Sequence, residues 1–175
     1  MKYSLKFAAT FVVGICAAGL WTAGLKAAEV SWKPLEFLVG NWVGEGSGKP
    51  GEGTGEFSLG YELDKRILVR HNHALIAPKP GETTGAKHDD LMIIYPQNAQ
   101  GTFRADYFDN EGHVIHYGVT FAENKAVFLS DGPANTPKFR LTYELKSAGE
   151  LAIEFAIAPP GRDFQPYVTG TAKKK

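Results

Sequence analysis

Hydrophobic and polar residues alternate with a period of two along most of this 175-residue chain. This alternation is typical of β-strands that bury one face. Glycine and proline interrupt it about every eight to twelve residues, which is the spacing of turns in an all-β domain. The predicted inward-facing sets are Phe57, Leu59, Tyr61 and Leu63; Ile67, Val69, His71, His73 and Leu75; Leu91, Ile93 and Tyr95; Phe103, Ala105 and Tyr107; His113, Ile115, Tyr117, Val119 and Phe121; Phe139, Leu141, Tyr143 and Leu145; and Leu151, Ile153, Phe155 and Ile157.

The order of these segments predicts an all-β fold, because no long helical pattern separates one predicted strand from the next. An open sheet of so many strands would expose its edges, and closure into a barrel removes them. We therefore expect an antiparallel up-and-down β-barrel of about 8–10 strands. A short helical turn is predicted before it over residues 34–39, where Pro34 suits a first helical position. A two-sheet sandwich with a solid core is the alternative.

The N-terminus has the pattern of a secretory signal peptide. Lys2 and Lys6 precede an apolar stretch over residues 7–21, and small residues follow as far as Ala28. We expect a signal peptide over residues 1–28 and export to the periplasm or the extracellular space. A retained membrane anchor or a lipoprotein is the alternative.

Cleavage at that point would leave a barrel domain of residues 29–175. Cys16, the one cysteine of the chain, would be lost with the signal, which excludes a disulfide or a cysteine-based metal site. Loss of three lysines with the signal would leave 16 basic against 19 acidic residues, a net charge of −3. This charge does not favour a nucleic-acid partner. No stable insertion into a membrane is expected after cleavage.

The segment over residues 39–46, Val-Gly-Asn-Trp-Val-Gly-Glu-Gly, resembles the first strand of calycin barrels. The resemblance is to lipocalin-like and nitrobindin-like bacterial domains, in which a short helix precedes a Gly-x-Trp motif. It implies an up-and-down barrel in which a basic residue of the last strand stacks on the tryptophan. We therefore predict a cation–π contact between Trp42 and Lys173 that closes the barrel.

Nitrobindin-like proteins bind haem through a histidine late in the chain, whereas no histidine follows His116 in this sequence. We therefore predict no cofactor. Haem stays an alternative, as does zinc for the reason given next.

Histidines supply the candidate polar groups of the interior. His71 and His73 are two residues apart on one strand, so they share a face, and apolar neighbours predict that this face points inward. His113 is expected to point the same way and His116 to be exposed. The segment His88-Asp89-Asp90 is interpreted as hydrated charge at the end of a strand.

Three inward histidines could contact a polar ligand, ligate Zn²⁺, act as acid or base, or be satisfied by neighbouring hydroxyl groups. We assign no catalytic residue and no metal site. We predict a non-enzymatic barrel that binds a small apolar or amphipathic molecule. The alternatives are an enzyme that uses these histidines and a structural envelope protein with a closed core. The predicted ligand-binding residues are His71, His73, His113, Tyr61, Tyr95, Tyr107 and Tyr117.

Overall fold

The computed structural model describes residues 30–98 and 101–175, so the predicted signal peptide over residues 1–28 lies outside the described residues. A 3₁₀ helix, Lys33–Leu38, comes first and confirms the predicted helical turn. Among the described residues, no helix is long and apolar enough to cross a membrane. The strands that follow are β1 (Gly40–Gly48), β2 (Gly53–Glu62), β3 (Ile67–Ile76), β4 (Ala86–Pro96), β5 (Phe103–Asp109), β6 (Val114–Ala122), β7 (Lys125–Ser130), β8 (Lys138–Ser147), β9 (Glu150–Ala158) and β10 (Gln165–Lys174).

The ten strands form a closed antiparallel barrel in which each strand pairs with its neighbours in the chain. The last strand, β10, pairs with β1 and completes the ring. This arrangement confirms the predicted up-and-down barrel. Closure gives every strand two partners, so the described sheet has no free edge.

The cation–π contact at the closure involves Lys174 and not Lys173, so that prediction is wrong by one residue. The ammonium group of Lys174 lies 5.5 Å from the centre of the Trp42 ring. Ala172 is buried, and the period of two then places Lys174 on the inner face. Lys173 pairs with Val43 and shares its outer face. Gly40 leaves room for Lys174, because a Cβ added there would lie 2.6 Å from Cε of the lysine.

A chain of aromatic rings fills the middle of the barrel. Trp42 stacks on Phe57 with ring centres 6.0 Å apart, and Phe57 lies 6.1 Å from Tyr143. Tyr143 meets Phe128 edge to face at 6.0 Å, and Phe128 meets Tyr117 at 6.2 Å. Such edge and offset contacts add to the stability gained from burying the rings.

The 3₁₀ helix covers one end of the barrel. Its residues Leu35 and Leu38 are fully buried. Just before it, Trp32 packs against Phe103 at 5.0 Å and against Tyr61 at 5.6 Å. We call this end the closed end, and we call the opposite end, where β1 turns into β2 and β3 loops to β4, the open end.

Strands β3 and β4 face the opposite way from the prediction. Leu68 and Arg70 are buried inside the barrel, opposite the buried Ile94 and Met92 of β4. The predicted inward set therefore occupies the outer face: Ile67, Val69, His71, His73, Leu75, Leu91, Ile93 and Tyr95. Both faces of these strands carry apolar residues, so hydrophobicity by itself does not fix which one is buried.

Two smaller corrections concern strand ends. Leu63 lies in the turn after β2, has a φ of 49° and is largely exposed, so it is not part of the inner face. His113 precedes β6 and lies at the rim, where its side chain contacts Asp109 but stays 62% exposed, so the barrel does not enclose it. The other residues of the inward sets predicted in β5, β6, β8 and β9 contribute to the core as expected, except Ile157.

Replacement of Lys174 by Gln tests the closure. We expect a loss of about 0.5–1 kcal/mol in the free energy of unfolding, because the cation over Trp42 is removed. Lys173→Gln is the matched control on the outer face and should change stability by less than about 0.5 kcal/mol. Urea unfolding of both variants measures the difference, and equal effects would contradict the assignment to Lys174.

Candidate functional site

A group of polar side chains lies inside the barrel on three adjacent strands. We call it the interior polar cluster, and its members are Arg70 and Asn72 of β3, His88 and Asp90 of β4, and Tyr107 and Asp109 of β5. All six occupy inward positions two residues apart on their strands. Antiparallel pairing sets Asn72 opposite Asp90, and Asp90 opposite Asp109.

Asp90 is the centre of the cluster and its side chain is only 4% exposed. One carboxylate oxygen pairs with the guanidinium group of Arg70. The other oxygen accepts a hydrogen bond of 2.9 Å from the side-chain amide of Asn72. Burial lowers the pKa of the Arg70 guanidinium group, but Asp90 and three neighbouring tyrosines together outweigh burial and raise it. The two charges therefore compensate each other inside the barrel.

His88 connects this pair to the surface. Its Nδ1 lies 3.0 Å from a carboxylate oxygen of Glu111, and its Nε2 lies 3.0 Å from the hydroxyl group of Tyr107. Nε2 is also 3.5 Å from Asp90. Hydrogen bonding to Asp90 raises the pKa of His88 to about 9 against the opposing effect of burial, and Glu111 adds to the rise. His88 is therefore a cation at neutral pH, and both ring nitrogens donate.

Asp109 completes the cluster on the side of the β5–β6 turn. It accepts a hydrogen bond of 3.3 Å from the hydroxyl group of Tyr107. It also accepts from the backbone N–H groups of Glu111 at 3.0 Å and His113 at 2.9 Å. Burial would raise the pKa of Asp109, but hydrogen bonds from His113 and Glu111 outweigh burial and lower it. The carboxylate thus fixes the turn and orients Tyr107.

Two buried polar atoms, one in the cluster and one near it, have no hydrogen-bond partner among the described residues. They are Nε of Arg70 and the hydroxyl oxygen of Tyr143, and both are buried. Burial, together with Asp90 and against the effect of Arg70, raises the pKa of Tyr143 to about 12. Its hydroxyl group therefore stays protonated at neutral pH and can donate.

Apolar side chains at the open end keep part of their surface in contact with solvent although they face inward. Ile115, Ile153, Phe139 and Phe155 are partly buried and pack against the core. Phe139 and Phe155 stack with their ring centres 6.1 Å apart. Inward residues near the closed end, such as Leu68, are by contrast fully buried. The open end therefore has an accessible apolar lining beside the interior polar cluster.

Glycines form the wall of β10, β1 and β2 toward the open end. A Cβ at Gly55 would lie 2.5 Å from the carbonyl oxygen of His73, and one at Gly170 would lie 2.7 Å from that of Glu45. Tight curvature of a barrel wall requires glycine at such positions. An open groove of about 980 Å³ runs along this rim and takes in Gly46, Ile76 and Thr171. None of the residues that line it belongs to the interior polar cluster.

Of the three histidines predicted to point inward, His71 and His73 lie on the outer face and His113 lies at the rim of the open end. The side chains of His71 and His73 are 55% and 70% exposed. His73 lies 2.8 Å from Asp89, and His113 lies 2.8 Å from Asp109. Among the described residues, no group of three or more histidine, cysteine, aspartate or glutamate side chains is arranged to hold a metal ion. Whether these histidines contact a ligand stays a prediction, but contact with His71 or His73 would be on the outer surface.

The four predicted tyrosines are distributed over three places. Tyr107 and Tyr117 face the interior, and Tyr107 is a member of the polar cluster. Tyr61 faces inward at the closed end beside Trp32. Tyr95 is on the outer face of β4. Their ligand-binding role stays a prediction.

The sequence interpretation missed most of the interior polar cluster. The sequence pattern predicts Asp90 as hydrated charge at a strand end, whereas the structure buries it opposite Asn72. Arg70 and Asn72 are two residues apart, as are His88 and Asp90, and the two pairs lie on consecutive strands. Residues of opposite charge at this spacing on neighbouring strands were the signal for a buried pair, because proteins bury charged side chains mainly in pairs.

No protein-family model and no curated protein matches this sequence. Among solved structures, the barrel is similar to Rv2717c from M. tuberculosis, with a TM-score of 0.59 and 12% identity over 84% of this chain and 99% of that one. A second similar structure is EF1p2_mFAP2b bound to DFHBI, with a TM-score of 0.45 and 9% identity over 81% of this chain and 97% of that one. The first likeness supports the closed antiparallel barrel fold.

Replacement of Asp90 by Asn tests the buried ion pair. We expect a loss of about 3–5 kcal/mol in the free energy of unfolding, because Arg70 would keep a buried charge without its counter-ion. Glu154→Gln is the control, since Glu154 pairs with Arg140 at 2.8 Å on the half-exposed outer face. It should cost less than about 1 kcal/mol. Denaturant unfolding compares the two, and a small effect at Asp90 would contradict the compensation described above.

The raised pKa of His88 predicts a pH dependence of stability. Its folded-state pKa of about 9 lies above the ordinary value of 6.5, so its contribution is complete below pH 6.5 and is lost as the pH rises through 9. The side chain is 26% exposed, so we expect a contribution of about 1–2 kcal/mol after solvent screening. The measurement is urea unfolding from pH 6 to 9.5 of the wild type, His88→Gln and the outer-face control His73→Gln. Only His88→Gln should flatten the profile, and a flat wild-type profile would refute the assignment.

Proposed function

We propose that the protein binds a small amphipathic molecule in the open end of its barrel. The observation that carries this proposal is the set of inward-facing aromatic and aliphatic side chains there, which keep solvent contact beside a few polar groups. A concave apolar wall with a small number of oriented polar groups is the usual composition of a small-molecule site.

The polar groups form a gradient from solvent to interior. His88 is 26% exposed, whereas Asp90, to which it is linked, is 4% exposed. Tyr107 lies between His88 and Asp109 and holds a hydroxyl group in a fixed position. A ligand entering from the open end would therefore meet hydrogen-bonding groups on β3, β4 and β5. Its apolar part would face Ile115, which pairs with Tyr107 on the neighbouring strand, and Phe139 and Phe155 across the barrel.

The aromatic chain across the middle of the barrel limits the size of the ligand. Phe57 contacts both Trp42 and Tyr143, and these rings lie between the open end and the closed end. The ligand would thus occupy only the open half, which favours a compact molecule over a long extended one. We further propose that binding takes place outside the cytoplasm, since residues 1–28 have the pattern of an export signal.

Narrowing the open end tests this function. Ile115→Trp adds an indole to the inner face, and we expect it to weaken binding of Nile red, a neutral solvatochromic dye, by about tenfold or more, because each factor of ten corresponds to only about 1.4 kcal/mol. Val114→Trp places the same side chain on the outer face at the next position and should bind like the wild type. Val114 is largely exposed, so this control should fold normally.

Fluorescence titration gives the dissociation constants, and circular dichroism checks that both variants are folded. A wild-type protein that binds neither this dye nor a panel of twelve-carbon amphiphiles would contradict the proposed function. Equal binding of the dye by the two variants would show that the site is not at the open end.

A further inference from the structure

We infer that the polar end of the ligand is a hydrogen-bond acceptor, a carboxylate or carbonyl oxygen, held between Nε of Arg70 and the hydroxyl group of Tyr143. This inference rests on the proposed function and specifies the chemistry of its ligand. It concerns the inner boundary of the open half, where β3 and β8 contribute these two side chains.

The two atoms are exceptional within the described residues because they are the buried side-chain polar atoms that have no hydrogen-bond partner. Tyr143 is fully buried and Arg70 is 8% exposed. A buried donor without an acceptor is costly, so native proteins rarely keep one without a reason. Two such donors, on strands that face each other across the barrel, indicate that both require the same acceptor.

The two side chains share one aromatic neighbour, the Phe57 ring. The guanidinium group of Arg70 lies 5.3 Å from the centre of the Phe57 ring. The Tyr143 ring lies 6.1 Å from the same ring. The charge of Arg70 also acts on the ionisation of Tyr143, which agrees with their closeness.

The chemistry of the two atoms selects an acceptor. Arginine Nε–H can only donate, and a tyrosine hydroxyl group can donate its proton. The Nη1 edge of Arg70 is occupied by Asp90, so its orientation is fixed while Nε stays available. One oxygen with two lone pairs can accept from both atoms. An ammonium head group has only donors and would leave Nε of Arg70 unsatisfied.

A carboxylate and a carbonyl oxygen differ in charge. Arg70 and His88 are cations, whereas Asp90 and Asp109 are anions, so the cluster itself is close to neutral. An uncharged carbonyl group would leave the net charge of the cluster unchanged. A carboxylate would gain a stronger hydrogen bond from Arg70 but would lie near Asp90.

The experiment compares ligands that share a chain and differ at the head group. Dodecanoic acid, methyl dodecanoate and dodecylamine are titrated below their critical micelle concentrations against protein loaded with Nile red, and displacement gives each affinity. We expect the acid or the ester to bind at least about tenfold more tightly than the amine. The better of the two identifies whether the acceptor is a carboxylate or a carbonyl oxygen.

Two conservative variants locate the acceptor site. Tyr143→Phe removes only the hydroxyl group and should weaken the acceptor ligand about three- to tenfold while leaving the amine unchanged. Arg70→Lys keeps the positive charge near Asp90 and removes Nε, and it should act in the same direction. Thr142→Val is the control, because it removes a hydroxyl group from the neighbouring outer-face position of β8. Circular dichroism and thermal unfolding verify that all three are folded.

The outcomes separate this inference from the proposed function. If Nile red and every amphiphile fail to bind the wild type, both are overturned. If the ligands bind with no preference among head groups, or Tyr143→Phe binds the preferred ligand as tightly as wild type, the inference is wrong and the proposed function stands. In that case the two donors are satisfied by an internal water molecule.

Discussion

The ion pair between Arg70 and Asp90 determines which face of β3 and β4 is buried inside the barrel. A charge buried without a counter-ion would cost several kcal/mol, so these two residues must enter the interior together or not at all. Because side chains alternate along a strand, burying Arg70 also buries Leu68, and burying Asp90 also buries Met92. The same alternation turns His71 and His73 outward. One interaction between neighbouring strands thus assigns every residue of β3 and β4 to its face.

The barrel is divided into two halves with different physical character. Toward the closed end, the 3₁₀ helix and a continuous set of aromatic contacts exclude solvent and account for much of the apolar burial. Toward the open end, charges and hydroxyl groups occupy one wall, partly exposed aromatic residues another, and glycines the third. Stability is concentrated in the first half, and the features that suit binding are concentrated in the second. This separation lets the site carry unsatisfied donors without weakening the closure at Trp42 and Lys174.

Much of the fold was predictable because the turn spacing and the alternation of most strands point the same way. Strands β5, β6 and β8 each have one mainly apolar face and one mainly polar face. The sequence therefore places Phe103, Tyr117 and Tyr143 correctly on the buried face. In β3 and β4 both faces carry apolar residues, and Val69 pairs with Ile93 on the outside as readily as Leu68 pairs with Ile94 inside. The site was therefore harder to predict than the fold, since most of its polar residues lie on these two ambiguous strands.

The sequence by itself determined the class of fold, the approximate number of strands and the helical turn before them, because each follows from a local pattern of a few residues. The resemblance of residues 39–46 to a known first strand added the use of Trp42 at the closure. The tertiary structure decided which face of β3 and β4 is buried, that Lys174 and not Lys173 covers Trp42, and that Asp90 meets Arg70, Asn72 and His88. These facts depend on the register between strands and on the balance of desolvation against pairing. Both are properties of residues brought together from different strands, which no single segment of the chain encodes.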